Sequence, residues 1–376
     1  MLRQLRLGMK LICLAMLAPA AFSAASAQLP QGTQALPAPT GSYSVGTRSI
    51  TLNDSSRREI FTKDPRDTRK VAVQIWYPSD AKCAPHTYFP TKLAEIYSAQ
   101  LGLKPGFEKS VLAHACENAK VAKRGKSFPT LLFSHGLQHT RFSYVSVLED
   151  LASHGNIVIA IDHPYGSRGM IFPDGVVAEW DNHLWARGED EAKYKAARDE
   201  FYRIWVDDAY DVLDRLFSSA SFLPPELQRR ADLGRLAYLG HSLGGISAIY
   251  AGQRDMRIKA AANLDGGVGA RLIKPVEADI PLLLLNAVGN DEEKFYSPAV
   301  RSALVAGSNH MTFSDYVWLV ENFGAEAWPA QEGRLPSETG IAATREVLRL
   351  FLDCAFTGSC GPLDSRLKTL EAPSAS

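Results

Sequence analysis

The sequence has no excess of either charge. Over 376 residues, 41 Lys and Arg stand against 41 Asp and Glu. Nucleic-acid binders ordinarily carry a basic surplus, so the balance argues against that class. Beyond the first residues, no apolar run approaches the ~18 residues that a membrane-spanning helix needs. Cysteine is scarce, at 5 residues, and no Cys/His spacing resembles a zinc site. Internal repeats and long low-complexity tracts are also missing. Hydrophobic residues at 46% and charged residues at 22% form an ordinary globular mixture, which excludes a wholly disordered or fibrous chain. The length allows one large α/β domain or two smaller ones.

The first residues do not read as fold. Arg3, Arg6 and Lys10 make a positive start, Leu11 to Phe22 is apolar, and Ala25-Ser26-Ala27 is a small-x-small cleavage site. Residues 1–27 therefore read as a signal peptide cut before Gln28, which implies a secreted or periplasmic protein. Cys13 leaves with it and lacks the small residues that a lipid-anchored cysteine needs before it. Cys83, Cys116, Cys354 and Cys360 remain. In an oxidising compartment four thiols suggest two disulfides, and sequence proximity favours Cys83–Cys116 and Cys354–Cys360. Residues 28–40, rich in Pro and Ala without apolar period, read as a flexible leader. One domain is expected over 41–376.

Short apolar runs then alternate with helical patterns. Val71–Tyr77, Thr130–Phe133, Ile157–Ile161, Arg235–Leu239, Ile258–Leu264 and Pro281–Asn286 read as strands. Segments 142–153, 244–252 and 342–356 read as helices. Strands apolar on both faces and separated by helices indicate a mostly parallel sheet covered on both sides. Residues 165–234 interrupt the rhythm as an insertion. Its second half carries Phe201, Ile204, Trp205, Ala209, Val212, Leu213 and Leu216 at helical period, as a covering helix would. The irregular stretch before it suits a lid.

Gly240-His241-Ser242-Leu243-Gly244 matches G-x-S-x-G between a strand and a helix, the setting of a nucleophile elbow. A serine hydroxyl needs a base. On this fold the order is serine, acid, histidine, and of 9 histidines only His310 follows Ser242. Two aspartates end strands between them, Asp265 and Asp291, and position alone slightly favours Asp291. The oxyanion needs two fixed N–H donors. Leu243, after the serine, supplies one. The loop Ser134-His135-Gly136-Leu137 supplies the other through Leu137.

With these residues in place, the chain resembles the secreted platelet-activating factor acetylhydrolase family. The resemblance runs from Gly41 to about Phe356 and includes Trp76-Tyr77-Pro78-Ser79, Phe133–Leu137, Asp150–His163, Gly240–Gly245, Asn263–Gly267 and Gly307–Tyr316. It implies an α/β-hydrolase fold, supports His310 and the Leu137 and Leu243 donors, and turns the preference to Asp265, because the family's acid follows the strand after the elbow. Gln138-His139 depart from the smaller residues common there in relatives.

The expected function is an exported serine ester hydrolase acting on a small ester or phospholipid through an acyl-enzyme, with no metal or cofactor. The base must be neutral, so activity should fall as the imidazole takes up a proton. A cutinase-like lipid esterase using Asp291, an acyltransferase and a silent binding protein are the alternatives. Met170–Phe172 and Val317–Val320 are apolar enough to touch a lipid surface transiently.

Overall fold

In the computed structural model, residues 32–101, 109–172, 174–181, 191–267, 279–290, 300–324 and 335–370 are described. The signal peptide expected over 1–27 and the candidate acid Asp291 lie outside them.

Fourteen strands are present among these residues: β1 Gln34–Ala35, β2 Ser44–Arg58, β3 Thr68–Ser79, β4 His86–Thr87, β5 Val111–Ala113, β6 Cys116–Glu117, β7 Phe128–Ser134, β8 Ile157–Asp162, β9 Gly169–Ile171, β10 Val177–Glu179, β11 Ala231–His241, β12 Ala260–Leu264, β13 Leu282–Asn286 and β14 Arg301–Leu304. The helices are α1 Thr91–Leu101, α2 Val145–Ser153, α3 Glu191–Phe217, α4 Pro225–Gln228, α5 Leu243–Gly252, α6 Tyr316–Phe323, α7 Ser337–Thr357 and α8 Gly361–Leu370. The central sheet has nine strands in the order β14-β13-β12-β11-β7-β8-β3-β2-β6. Strands β14 through β8 run parallel, while β3 is antiparallel to both β8 and β2. This is the mixed, mostly parallel α/β-hydrolase sheet that the strand pattern implies.

Side chains alternate between two cores because successive residues of a strand face opposite ways. Leu131, Phe133, Val158, Ala160, Ala237 and Leu239 face the layer of α2 and α7. Leu132, Ile157, Ile159, Ile161, Leu236 and Tyr238 face the layer of α3 and α5. Both faces are covered, so the strands read as unbroken apolar runs in sequence. The long strand β2 was not expected. Its second half alternates buried and exposed side chains near the sheet edge, with polar residues throughout.

Two expectations are revised by the packing. The described part of the leader, 32–40, is not a free tail. Gln34 and Ala35 pair with Val111 and Leu112, and Leu36 is buried. The guanidinium of Arg345 donates to the carbonyls of Pro37 (2.7 Å) and Ala38 (2.9 Å), and Thr40 donates to Asp150. A docking partner far along the chain, invisible to local composition, orders this stretch. The apolar segments offered for lipid contact are also used internally. Met170 and Phe172 pack with Ala72 and Ala178, and Trp318 and Leu319 lie in the main core.

The helical part of the insertion behaves as a cover. Ala209, Val212, Leu213 and Leu216 of α3 are buried against the sheet. Each large apolar side chain stabilises burial by ~1.5–3 kcal/mol, so lifting this part of α3 costs several kcal/mol and a hinged lid cannot be built from it.

The structure joins Cys83 to Cys116 and Cys354 to Cys360, with Cα–Cα distances of 5.7 and 4.4 Å. The first ties the segment after β3 to edge strand β6. The second staples the end of α7 to the start of α8. No helix among the described residues is long and apolar enough to cross a membrane.

The core also holds proton-retaining carboxyls. Glu149 of α2 accepts the N–H groups of His114 and Ala115 at 3.1 and 2.8 Å, yet burial dominates and pushes its pKa up to about 7. Burial pushes Asp315 up to about 6, against bonds from Ser146 and Tyr88. A carboxyl raised in the fold holds a proton that the unfolded chain has already released. Its stabilisation is complete below the ordinary carboxyl range and is lost as pH rises through the folded value. Burial lowers the pKa of His135, His139, His163 and His241, whose contribution runs the other way, present at high pH and lost on acidification. Subtracting a single variant separates the two. Glu149→Gln is expected to gain on the wild type as pH rises, by up to about 1.4 kcal/mol per unit between about pH 5 and about pH 7. Urea unfolding across that range measures it, and a difference that stays constant with pH would contradict the assignment.

Candidate active site

Strand β11 stops at His241 and α5 starts at Leu243, leaving Ser242 alone to make the turn at φ 53° and ψ −119°. That region is costly for a residue with a Cβ, and the surroundings impose it. The Ser242 N–H donates to the Leu264 carbonyl at the end of β12 (2.8 Å), and its carbonyl accepts the Ile246 N–H (3.0 Å). Glycine is required on either side. A Cβ on Gly240 would strike the backbone of Gly244, and one on Gly244 would strike the Ser134 carbonyl. Strand and helix thus approach closely enough to leave the serine at the carboxyl edge of the sheet, at the N-terminus of α5.

The neighbouring strand β12 is followed at once by Asp265, also at positive φ, 54°. Its Oδ2 lies 2.6 Å from His310 Nδ1, while Oδ1 accepts the Ala287 N–H (2.7 Å) and the Asn290 amide (2.9 Å). Burial alone would raise this carboxyl's pKa. The bonds from His310, Ala287 and Asn290 outweigh it and hold the group below its ordinary value, so it is ionised. His310 opens a short 3-10 turn, His310–Phe313, capped by Asn309, whose side chain accepts the Met311 N–H. The aspartate side chain is 5% exposed and the imidazole 34%. A buried carboxylate therefore orients a ring that still reaches the solvent side.

The loop after β7 closes against the serine. A Cβ on Gly136 would come within 3.1 Å of Ser242 Cβ. Gly136 is held at both of its polar groups: its N–H donates to Tyr144 Oη (3.0 Å), and its carbonyl accepts from the His139 N–H (3.0 Å) and His135 Nδ1 (2.7 Å). A trans peptide is planar, so fixing the Gly136 carbonyl fixes the opposite direction of the Leu137 N–H. Leu243 is buried with Phe201, Tyr202 and Trp205, and Leu137 and Trp180 pack against them.

Composition and motif reading missed a second polar array beneath this loop. Ser134 Oγ lies 2.9 Å from His163 Nε2, and His163 Nδ1 lies 2.9 Å from Asp208 Oδ2. The order of atoms resembles a catalytic set, but all three side chains are fully buried. Asp208 is occupied by Arg69 (2.7 and 3.0 Å) and Arg57 (2.9 Å), Ser134 is shared with Tyr238, and His163 stacks on Trp205. No substrate reaches it, and it acts as an anchor between β7 and α3. The signal was available: Asp208 stands four residues after Ile204 and four before Val212, a charge on the apolar stripe of a helix.

A serine set at this strained strand-to-helix turn on this kind of sheet is the arrangement of α/β-hydrolase esterases, and the chain is one of them: an ester hydrolase of the α/β-hydrolase class. Residues 29–196 match the family model described as platelet-activating factor acetylhydrolase, isoform II, a stretch that ends before Ser242. Over this stretch the chain is similar to the platelet-activating factor acetylhydrolase family. A platelet-activating factor acetylhydrolase from Cavia porcellus is 26% identical over 360 residues, covering 85% of this chain and 78% of the relative. A probable 1-alkyl-2-acetylglycerophosphocholine esterase from Arthroderma benhamiae is 27% identical over 249 residues, covering 62% and 59%. Among solved structures, a ferulic acid esterase from Streptomyces cinnamoneus superposes with a TM-score of 0.74 at 29% identity, covering 91% of this chain and 97% of that one.

Proposed function

We propose that this protein is exported and hydrolyses short-chain carboxylic esters, including phospholipids with a short acyl group, with Ser242 as nucleophile, His310 as base and Asp265 as acid. The observation that carries the assignment is the 2.6 Å contact between His310 Nδ1 and Asp265 Oδ2, one strand over from the strained serine. Asp265 holds the proton on Nδ1, so Nε2 is bare and takes the proton of the Ser242 hydroxyl as its oxygen attacks the ester carbonyl. The carbonyl oxygen becomes an anion, and the N–H groups of Leu137 and Leu243 stabilise it. His310 then gives its proton to the leaving alcohol. Water, deprotonated by the same nitrogen, releases the acid and regenerates the serine.

A second reading is favoured by the structural likeness to the ferulic acid esterase over nearly its whole length: an aromatic acyl group in place of a short aliphatic one. Rates on nitrophenyl esters of graded chain length, a phospholipid with an acetyl second chain, and methyl ferulate separate the two. The short-acyl reading expects kcat/KM to fall with each lengthening of the aliphatic chain and methyl ferulate to be a poor substrate. A preference for methyl ferulate over acetyl esters would reverse it. A fluorophosphonate probe should label the intact protein once, on the peptide containing Ser242, and absence of labelling would count against the nucleophile.

A further inference from the structure

The x of G-x-S-x-G is a histidine, and the hydrolytic steps leave it without a task. His241 is fully buried, as is Tyr144, which follows the oxyanion loop. The His241 Nε2 lies 2.8 Å from the His310 carbonyl, and its Nδ1 lies 2.8 Å from Tyr144 Oη. A carbonyl only accepts, so Nε2 carries the proton and Nδ1 is bare. The Tyr144 hydroxyl must therefore donate to Nδ1, which leaves its oxygen to accept the Gly136 N–H at 3.0 Å. With the ring neutral, only one arrangement of protons satisfies all three bonds. Burial, reinforced by the nearby His310 and His139, keeps the His241 ring neutral, and burial keeps the Tyr144 hydroxyl protonated, so the arrangement does not titrate away.

We propose that Tyr144 and His241 form a strut that positions the two working ends of the site against each other, the oxyanion loop at Gly136 and the backbone of His310. The inference rests on the assignment of His310 as base and Leu137 as an oxyanion donor. The strut spans elements far apart in the chain. One end holds the residue just before the Leu137 donor. The other holds the peptide from which the catalytic imidazole hangs, beside a ring contact between His241 and His310 at 4.6 Å between centroids. Neither residue takes part in the bond-making or proton-transfer steps. Their effect is on the distance and angle between base and oxyanion donor, and such geometry carries large rate factors.

The test compares Tyr144→Phe, His241→Leu and His241→Gln using nitrophenyl acetate, with thermal melting of each. Tyr144→Phe and His241→Leu are expected to lower kcat ~10–100-fold with KM changed less than ~3-fold, because ground-state binding does not use the strut. His241→Gln is expected to recover most of the rate, since its amide presents an N–H and an oxygen much as the imidazole presents Nε2–H and Nδ1. Wild-type kcat in Tyr144→Phe and His241→Leu would overturn the strut. So would a loss that Gln fails to recover and that tracks a fall in melting temperature, since that describes a merely structural role. If His241→Leu does not fold, Tyr144→Phe, which removes one oxygen, decides alone. A fully active Ser242→Ala protein would instead overturn the hydrolytic assignment itself, and the strut with it. An inactive Ser242→Ala beside an unaltered Tyr144→Phe overturns the strut only.

Discussion

Replacing Asp265 by Asn is expected to lower kcat by ~10⁴-fold while the protein stays folded. The asparagine oxygen retains the Ala287 and Asn290 bonds on the Oδ1 side, so the loop keeps its shape. The other atom becomes an NH₂ facing His310 Nδ1, which must then accept. The imidazole proton moves to Nε2, the position that has to be bare to receive the serine proton, and the ring is held in the wrong tautomer. Ser242→Ala removes the nucleophile altogether and should cost ~10⁶-fold, leaving the background that the oxyanion donors and binding provide. Asp291→Asn is the paired control and should remain within a few-fold of wild type. Steady-state kinetics on a nitrophenyl ester, with active-site titration to exclude traces of wild type, measure all three. Collapse of the Asp291 variant beside an active Asp265 variant would transfer the acid to residue 291 and revive the cutinase-like alternative.

The second large effect concerns stability. Asp208→Ala should destabilise the protein by ~3–5 kcal/mol, because it strands buried partners. Arg69 is 4% exposed and would keep only Glu59 and the Pro164 carbonyl, while His163 would lose the acceptor on its Nδ1. The attraction of Arg69 and the bonds from His163 and Arg69 overcome the cost of burial and hold Asp208 far below the carboxylate range. A depressed carboxyl pKa stabilises the fold at neutral pH and loses that contribution on acidification, so the variant's deficit should shrink in acid. The exposed pair Arg66–Asp64 provides the contrast, and Asp64→Ala should leave the melting temperature unmoved. Chemical unfolding of both variants tests the difference. An Asp208→Ala protein as stable as wild type would mean that the array anchors nothing. Because the array ends on Ser134, one residue before the oxyanion loop's His135, partial loosening should also appear as reduced kcat.

Legibility in the sequence followed the range over which each feature is determined. The strands that position the site are short, apolar on both faces and bounded by turn residues, and the boundaries of β7, β8, β11 and β13 fall within a few residues of the apolar runs. The elbow is local: five consecutive residues encode a turn that only glycine at its flanks permits. The base proposed here was legible by chain order, since no histidine other than His310 follows the serine. The acid was not. Asp265 and Asp291 both end apolar runs; position slightly favoured Asp291, the family resemblance turned the preference to Asp265, and the structure sets Asp265 Oδ2 2.6 Å from His310 Nδ1. The leader at 34–40 and the array around Asp208 were hidden because their partners, Arg345 and Val111 in one case and Arg69 and His163 in the other, lie tens to hundreds of positions away.

From its residue order alone the chain specifies an α/β-hydrolase sheet, a serine at a strained turn and a histidine able to serve it, because each depends on contacts within a few residues or on simple succession. Tertiary structure alone sets a carboxylate against the imidazole, keeps the buried histidines neutral and fixes the buried part of the covering helix. Those outcomes depend on burial and on hydrogen bonds between distant segments, and neither exists until the sheet has assembled.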